Sequence, residues 1–327
     1  MSVVIPAFNN RDVLRRTIDA LSRQTLAAEG YEIVIADDGS TDGTAEMVAD
    51  ARGPVQIRYL VQPNLGRSAA RNLGSRAARG RILMFVDADI WATPSLLEAH
   101  LGHYADPAAR LGVQGRSLTH PDARTTVFMR TREMTPDLSV RRRRDLSPAH
   151  IITRNFSVLR SEFEAAGGFD EGFTGYGWED IELAMRLRAR GVTLEYDPEA
   201  LAYHYHVETL DGIRRKLRQA GAGAVYFWRK YGRPPQLGWF LEISPVVLPI
   251  KWLVFRTRLA MPFFRWLLPH AERHGWLLLA NECYTELTWE AYYEGVFDAL
   301  QRPAPRPARP APIGASIGPH EPRSHGD

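Results

Sequence analysis

The sequence contains little cysteine and little lysine. Cys283 is the only cysteine among 327 residues, so no intrachain disulfide can form, which is typical of a reducing compartment. Only Lys216, Lys230 and Lys251 are lysines among 41 basic residues, and the others are arginines. Arginine binds phosphate and carboxylate groups through paired hydrogen bonds better than lysine does.

Long hydrophobic runs and strong net charge are also missing. No stretch reaches about 18 uninterrupted apolar residues, so the sequence does not indicate a membrane-spanning helix. The opening SVVIPAF is too short for a secretory signal and lacks its basic flank and cleavage site. The net charge of +3 does not call for nucleic acid as a partner. We therefore expect a cytoplasmic protein, with peripheral contact at the inner face of the membrane left open.

The first half of the chain alternates between apolar runs and helix-periodic segments. Strands are predicted at 2–8, 31–38, 55–62 and 81–89, with helices at 11–24, 44–51 and 66–79 and a fourth helix opened by Pro94. Such alternation predicts an α/β fold whose mostly parallel sheet is flanked by helices. Ligands of these sheets bind at the carboxyl ends of the strands.

The second half is less regular. We predict weak strands at 111–116 and 125–130, a helix ending at Gly191, a strand within 192–206, and helices at 211–231 and 276–300. The arginine-rich stretch 129–145 is predicted to be a solvated loop or a loop that meets an anionic ligand or membrane. The expected organisation is a domain at 1–210, a helical region at 211–300 and a disordered proline-rich tail at 301–327.

Residues 237–268 are rich in aromatic and apolar side chains but are interrupted by prolines and cations. Two interpretations remain open for this segment. It either lies on a membrane surface, with tryptophan and arginine at the interface, or packs against the rest of the chain.

Three polar clusters follow the predicted strands. Asp87 and Asp89 end the most apolar strand, where paired carboxylates suit Mg²⁺ or Mn²⁺, although a helix cap and turn is the alternative. Asp37 and Asp38 could accept hydrogen bonds from a nucleotide base or ribose, or could cap a turn. His204 and His206 lie two apart and could complete a metal site or be structural.

Two charged pairs complete the candidates. Arg67 and Arg71 are four residues apart on one helix face and would suit a diphosphate, the alternative being surface arginines. Glu179 and Asp180 follow Gly-Tyr-Gly-Trp and precede a helix-periodic run. These acids favour a helix start through the helix dipole, and a catalytic pair is the other interpretation.

Taken together, three stretches resemble a known family: VVIPAFNNRDVLRRTIDALSRQT with IVIADDGSTDGT, NLGRSAARNLGSRAARGRILMFVDAD, and AAGGFDEGFTGYGWEDIELAMRLRARG. Their order and spacing are similar to those of the family 2 glycosyltransferases, which have the GT-A fold. The resemblance covers roughly residues 2–210. It implies transfer of a sugar from a nucleotide diphosphate, with a UDP-sugar expected, to an acceptor hydroxyl with inversion at the anomeric carbon.

The resemblance also implies roles for individual residues. Pro6, Ala7 and Phe8 would line the base pocket, Asp38 would contact the base with Asp37 supporting it, and Arg67 and Arg71 would lie near the diphosphate. Asp87 would meet the ribose or sugar, and Asp89 would hold Mn²⁺ or Mg²⁺ with His204, His206 being the second choice. Asp180 would be the general base, while Glu179 and Trp178 would bind the acceptor.

The acceptor implied is a glycan, a glycolipid or a small molecule. The chain lacks the Gln-x-x-Arg-Trp stretch and the spanning helices of processive family members, so we expect addition of one or a few sugars. Two competing hypotheses remain. A sugar nucleotidyltransferase would need a glycine-rich loop where this chain has PAFNNRD, and a silent glycan-binding or scaffold protein would not need the acidic residues.

Overall fold

The first half of the chain builds a parallel sheet from four strands that the sequence predicts. The computed structural model describes residues 1–106, 108–123, 126–132, 144–256 and 261–303. In this half the strands are β1 (Ser2–Ala7), β2 (Glu32–Asp37), β3 (Gln56–Val61), β4 (Ile82–Val86) and the short β5 (Ile90–Ala92), and the helices are α1 (Arg11–Leu21), α2 (Thr44–Asp50), α3 (Arg67–Ala77) and α4 (Leu96–Gly102).

Burial explains why these segments fold as they do. Every residue of β2 and β4 is buried, as expected for apolar strands covered by helices on both faces. Helix α1 buries Leu14, Ile18 and Leu21, which recur at helical spacing and face the sheet. The four predicted strands and the first three predicted helices are confirmed, and α4 begins two residues after Pro94.

The second half extends the sheet and then becomes helical. Its strands are β6 (Leu111–Thr119), β7 (Asn155–Leu159) and β8 (Thr193–His204). Its helices are α5 (Val127–Arg132), α6 (Arg160–Ala165), α7 (Glu179–Ala189), α8 (Leu210–Lys230), α9 (Pro235–Phe240), α10 (Val247–Lys251), α11 (Met261–Arg273) and α12 (Leu277–Gln301), with a π-helical stretch at Trp252–Arg256 after α10.

The eight described strands form one sheet in the order β3-β2-β1-β4-β7-β6-β8-β5. Strands β1 to β4 pair in parallel, and β6 pairs in parallel with β8. Strand β7 is antiparallel to both β4 and β6, and β5 is antiparallel to β8. The predicted parallel sheet is thus confirmed for the first half, while the second half makes the sheet mixed.

The helical region shares a core with the sheet domain. Helix α8 packs along α12, where Gly221 and Gly295 bring the backbones close: a Cβ on Gly221 would lie 1.9 Å from the carbonyl oxygen of Tyr292. The same apolar cluster includes Phe128 and Phe173 from the sheet domain. The C-terminal helices are therefore packed against the elements that hold the site.

Some predictions differ from the structure. The strand predicted at 125–130 is wrong, because Val127–Arg132 is a helix that buries Phe128 and Met129 against α12. The strand at 111–116 and the helices at 211–231 and 276–300 are confirmed. Most of the predicted arginine-rich loop, at 133–143, and the predicted disordered tail, from 304 onward, lie outside the described residues. Within the described chain, no helix combines the length and apolarity needed to cross a membrane.

Candidate active site

A pocket of about 400 Å³ opens where β1, β2 and β4 end. This is the edge at which parallel α/β sheets bind ligands. Its walls come from the strand ends, from the start of α3, from the loop before α7 and from α8. The lining residues are Pro6, Ala7, Phe8, Asn10, Asp38, Asn64, Gly66, Arg67, Ala70, Asp87, Ala88, Asp89, Thr174, Gly175, Tyr176 and Gln219.

Asp37 and Asp38, at the end of β2, have different hydrogen-bond partners. Asp38 lines the pocket and accepts hydrogen bonds from the backbone nitrogens of Leu65 and Gly66, each at 2.9 Å. Asp37 is 1% exposed and accepts from Tyr59 Oη and from the backbone nitrogen of Ser40. Asp37 thus fixes the strand end, while Asp38 fixes the loop beside the pocket.

Asp89 lies next to both predicted histidines. Its Oδ2 is 3.2 Å from Nε2 of His204 and 3.7 Å from Nδ1 of His206, and the two imidazole rings stack. Strand pairing causes this, because β5 follows Asp89 directly and pairs with β8, which ends at His204. Across the described ranges, no three His, Cys, Asp or Glu side chains form a group that could hold a metal ion.

His206 has a second set of partners from α8 and the segment before it. Its Nε2 lies 2.9 Å from Nζ of Lys216 and 3.3 Å from Oε2 of Glu208. Burial alone would raise the pKa of Glu208, but its bonds to His206 and Lys216 prevail and lower the pKa to about 2. The Nε2 atom of His206 is therefore engaged by Lys216 and Glu208, and His204, which lies nearer to Asp89, is the better placed of the two for a shared ligand.

Arg71 joins the two acidic regions of the chain. It is 1% exposed, and its Nη2 donates to Oδ1 of Asp87 at 2.8 Å. Its Nη1 donates to Oε1 of Glu179 at 3.3 Å and lies 3.6 Å from Oδ1 of Asp180. One guanidinium group thus connects the end of β4 with the first turn of α7.

The buried charges change the titration of this cluster. Burial, and next the charge of Asp180, raise the pKa of Glu179, and the cations Arg71 and Arg67 offset only part of that effect. For Asp87, burial acts to raise the pKa, but the charges of Arg71 and Arg67 outweigh it and lower the pKa. Asp87 is thus held as a carboxylate, while Glu179 retains its proton to a higher pH than a free glutamate.

Asp180 is held by Thr153, in the loop before β7. Thr153 donates from its hydroxyl to Oδ1 at 2.5 Å and from its backbone nitrogen to Oδ2 at 3.2 Å. The side chain of Asp180 is 18% exposed, against 3% for Glu179. Of the two acids, Asp180 is the more exposed, and Thr153 fixes its orientation.

Trp178 precedes the acids in an unusual backbone conformation. Gly177 has φ of 92° and Trp178 has φ of 77°, a left-handed conformation that costs a residue with a side chain about 1 kcal/mol or more. The indole donates from Nε1 to the carbonyl of Ala220 in α8 at 2.7 Å and packs edge-on against Phe240. The helical region therefore holds this strained turn and the start of α7.

Comparison with known proteins agrees with this geometry. The model for "Glycosyl transferase family 2" matches residues 2–166, half of the chain. The chain belongs to glycosyl transferase family 2. A second model, described as "N-terminal domain of galactosyltransferase", matches residues 142–210, which include Trp178, Glu179 and Asp180.

Individual relatives support the same family. The chain is 36% identical over 231 residues to the validoxylamine A glucosyltransferase of Streptomyces hygroscopicus subsp. jinggangensis, a match covering 61% of this chain and 54% of the relative. It thus spans about half the length of the curated relatives it matches.

Solved structures show that the fold is GT-A. The mannosyltransferase PcManGT from Pyrobaculum calidifontis, in complex with GDP-Man and Mn²⁺, has a TM-score of 0.63 at 19% identity and covers 92% of this chain and 86% of its own. TarS 1-349 of S. aureus, in complex with UDP-GlcNAc, has a TM-score of 0.52 at 15% identity, covering 90% of this chain and 91% of its own.

The structure of this family 2 member brings most of the predicted site residues to one place. Pro6, Ala7, Phe8, Asp38, Arg67, Asp87 and Asp89 line the pocket. Arg71 lies beside the pocket and bonds Asp87, while Glu179 and Asp180 lie next to Arg71 and do not line the pocket. Asp37 lies at the end of β2. Trp178 does not line the pocket, so its predicted contact with an acceptor stays a prediction.

Sequence reasoning missed Tyr176, Gln219 and Thr153. Tyr176 lines the pocket, and the guanidinium carbon of Arg67 lies 5.1 Å from its ring centroid. Gln219, from the helical region, accepts from the backbone nitrogen of Tyr176 at 3.0 Å. Tyr176 could have been suspected from its position two residues before Trp178, whereas nothing in the local sequence marks Thr153 or Gln219.

Proposed function

We propose that this glycosyltransferase moves a sugar from a nucleotide-diphosphate sugar to an acceptor hydroxyl, with a divalent cation and with inversion at the anomeric carbon. The observation that carries the proposal is the position of the Arg71 guanidinium group between Asp87 at the end of β4 and the acids Glu179 and Asp180 at the start of α7. Arg71 binds Asp87 in the pocket wall and lies 3.6 Å from Asp180, so the partly exposed carboxylate of Asp180 is held near the Asp87–Asp89 end of the pocket but on a different structural element.

The donor would occupy the pocket with its base near β1 and β2. Phe8 is 46% exposed in the wall, and Asp38 lines the same pocket as Asp87 and Asp89. Arg67 lines the same pocket and its side chain is 41% exposed, so it is free to meet a diphosphate. Arg71 would act indirectly, because it is buried and holds Asp87 as a carboxylate.

Asp89 and His204 are the residues that would hold a divalent cation. Carboxylate oxygen and imidazole nitrogen suit Mn²⁺, and the 3.2 Å between Oδ2 and Nε2 leaves both atoms near one position. Two protein ligands are few, which fits a cation completed by phosphate oxygens of the donor. The bound cation would offset the negative charge that develops on the departing nucleotide diphosphate.

Asp180 would take the proton of the acceptor hydroxyl. As the acceptor oxygen forms its bond to the anomeric carbon, the bond from that carbon to the phosphate oxygen breaks and the nucleotide diphosphate leaves. Asp180 faces the reaction from α7, while the Asp87–Asp89 end and Arg67 hold the leaving group. A base opposite the leaving group gives inversion. Glu179, buried and inclined to keep its proton, would orient the acceptor site through Arg71.

A UDP-sugar is the donor we favour, although neighbours of the same fold bind either GDP-Man or UDP-GlcNAc. The name of the validoxylamine A glucosyltransferase favours a glucosyl donor and a small hydroxylated acceptor. Glycans and glycolipids remain in the acceptor class we propose. The family match favours this activity over a sugar nucleotidyltransferase or a silent glycan-binding protein.

A thermal-shift screen tests the donor and the cation together. Nucleotide-diphosphate sugars are added to the full chain with Mn²⁺, with Mg²⁺ or with EDTA. A donor at 100 times its Kd stabilises the fold by about 2.7 kcal/mol, which is a rise in Tm of roughly 5 °C at about 2 °C per kcal/mol. We expect that rise with a metal and a much smaller one with EDTA.

Asp89→Ala should lose the metal-dependent part of the shift, while Asp19→Ala, an exposed acid on α1, serves as the matched control and should keep it. Calorimetry of the nucleotide diphosphate alone gives the same comparison without turnover. Equal affinity with and without metal would show that the cation assignment is wrong. No stabilisation by any nucleotide-diphosphate sugar would contradict the proposed donor class.

A further inference from the structure

Exposed hydrophobic side chains are concentrated in one part of the molecule. Fifteen large hydrophobic side chains are exposed in the described chain, and ten of them lie within 239–278. They are Trp239, Val246, Ile250, Trp252, Leu253, Val254, Phe263, Trp266, Trp276 and Leu278. We call the five that lie in the π-helical stretch and in α11, namely Trp252, Leu253, Val254, Phe263 and Trp266, the C-terminal aromatic face.

Helix α11 carries apolar side chains on two opposite sides, only one of which packs against the core. Its inner side buries Met261, Leu268 and Ala271 against the helical core. Its outer side carries Phe263, 54% exposed, and Trp266, 61% exposed, three residues apart and therefore on the same face. A water-exposed helix face normally carries polar residues, so the outer apolar side calls for a partner.

The two exposed segments that follow α10 lie side by side on α12. Phe255, in the π-helical stretch, stacks on Tyr293 of α12 with ring centroids 5.3 Å apart. Arg265 of α11 bonds Glu290, also of α12, at 2.7 Å. Because positions 290 and 293 share a helix face, the π-helical stretch and α11 cover the same side of α12. Their outer sides therefore form neighbouring parts of one surface.

The segment carries a net positive charge. Residues 239–278 contain five lysines and arginines and two acids, Glu242 and Glu272. Glu242 accepts from Tyr293 Oη and the exposed Glu272 accepts from Tyr284 Oη, so both acids have partners in α12. Two of the cations also contact α12, because Arg265 bonds Glu290 and Lys251 lies over the ring of Trp289. Arg273 is exposed on the outer side of α11, seven residues after Trp266. The outer side of α11 is thus apolar and aromatic, and Arg273 adds a positive charge to it.

We infer that the C-terminal aromatic face binds the surface of a membrane containing anionic lipid. Tryptophan and phenylalanine favour the boundary between headgroups and acyl chains, and neighbouring cations attract acidic headgroups. Contact at the surface also suits helices too short and too charged to span the bilayer. A second copy of the chain fits less well, because two-fold pairing of this face would bring like charges together.

Co-sedimentation of the full chain with vesicles tests the inference. The probes are phosphatidylcholine vesicles with and without phosphatidylglycerol, at low and high salt. Binding should require phosphatidylglycerol and weaken with salt. Trp266→Ser should weaken partitioning about tenfold, since a buried large apolar side chain contributes roughly that factor or more. Val61→Ser, which removes an equally exposed side chain from β3, is the matched control and should bind as wild type does.

The outcomes separate the alternatives. Arg273→Gln should weaken binding to the acidic vesicles while leaving the melting temperature unchanged. Absence of binding, or equal binding by Trp266→Ser and wild type, would overturn the inference. A concentration-dependent dimer that Trp266→Ser dissociates, with no vesicle binding, would overturn it in favour of a second copy. Nucleotide-sugar binding is measured on the same variants and should not change, so this result is independent of the proposed catalytic function.

Discussion

Removing the Arg71 guanidinium should destabilise the fold, because this group offsets the charge of three acids that are fully or partly buried, namely Asp87, Glu179 and Asp180. Arg71→Met keeps the volume and the helix propensity of position 71. Asp87 can regain water, since its side chain is 28% exposed, but the 3%-exposed Glu179 cannot. Leaving one buried partner unpaired costs about 3–5 kcal/mol. At about 2 °C per kcal/mol for a large domain, the melting temperature should fall by roughly 6–10 °C.

The loss of stability in Arg71→Met should also depend on pH, and the raised pKa of Glu179 decides whether the loss grows or shrinks as pH rises. Its pKa in the folded protein is raised, so the native state holds a proton that the unfolded state has already released. Stability from this group therefore falls as pH rises above its unfolded value of 4.5. Removing Arg71 raises the pKa of Glu179 further, so Arg71→Met should lose more stability at pH 8 than at pH 5.

Urea unfolding of wild type and variant across this pH range measures both effects. The matched control is Arg76→Met on the same helix, whose side chain is 64% exposed and 3.9 Å from Glu171. We expect it to change stability by no more than about 0.5 kcal/mol. If Arg71→Met were as stable as Arg76→Met, the buried bridge would not hold α7 to the end of β4.

Two further predictions concern the contacts that hold α7 and α8. Glu182 is fully buried and bonds Arg186 and Lys230, and these bonds outweigh burial and lower its pKa. The stability that Glu182→Gln removes should therefore be largest above pH 4.5 and shrink below it in urea titrations, whereas a pH-independent loss would contradict the assigned ion pairs. Gly221→Ala should cost about 1–3 kcal/mol because its new Cβ meets the Tyr292 carbonyl, while Gly102→Ala, with open space around it, should melt as wild type does. Equal melting of the two glycine variants would show that α8 and α12 are not in close contact.

Much of the fold could be predicted because burial on both faces leaves a strong local signal. Strands β2 and β4 are continuous apolar runs, and α1 has a clear apolar stripe, so their positions follow from sequence alone. The strand predicted at 125–130 is wrong because a helix of six residues, Val127–Arg132, has too few turns to show its period in the sequence. The antiparallel position of β7 between β4 and β6 depends on long-range pairing that no local pattern encodes.

In the candidate site, too, local features could be predicted from the sequence, whereas contacts between distant segments could not. The four-residue spacing of Arg67 and Arg71 correctly placed both on one helix face, since both approach Oε1 of Glu179. It could not show that Arg71 is buried, because Glu179 lies 108 residues further along the chain. The hydrogen bond from Thr153 to Asp180 and the one from the backbone of Tyr176 to Gln219 likewise join segments far apart in the sequence, so no local pattern predicts them.

The turnover of Asp180→Asn tests the central claim most directly. The variant keeps the size of the side chain but cannot accept the acceptor proton, so kcat should fall by about 10²–10⁴. Its affinity for the nucleotide-diphosphate sugar, measured by calorimetry, should stay as in wild type. Asp122→Asn, at a side chain that is 77% exposed, is the control and should turn over normally. Unchanged turnover in Asp180→Asn, with donor binding intact, would contradict the role of Asp180 as the base.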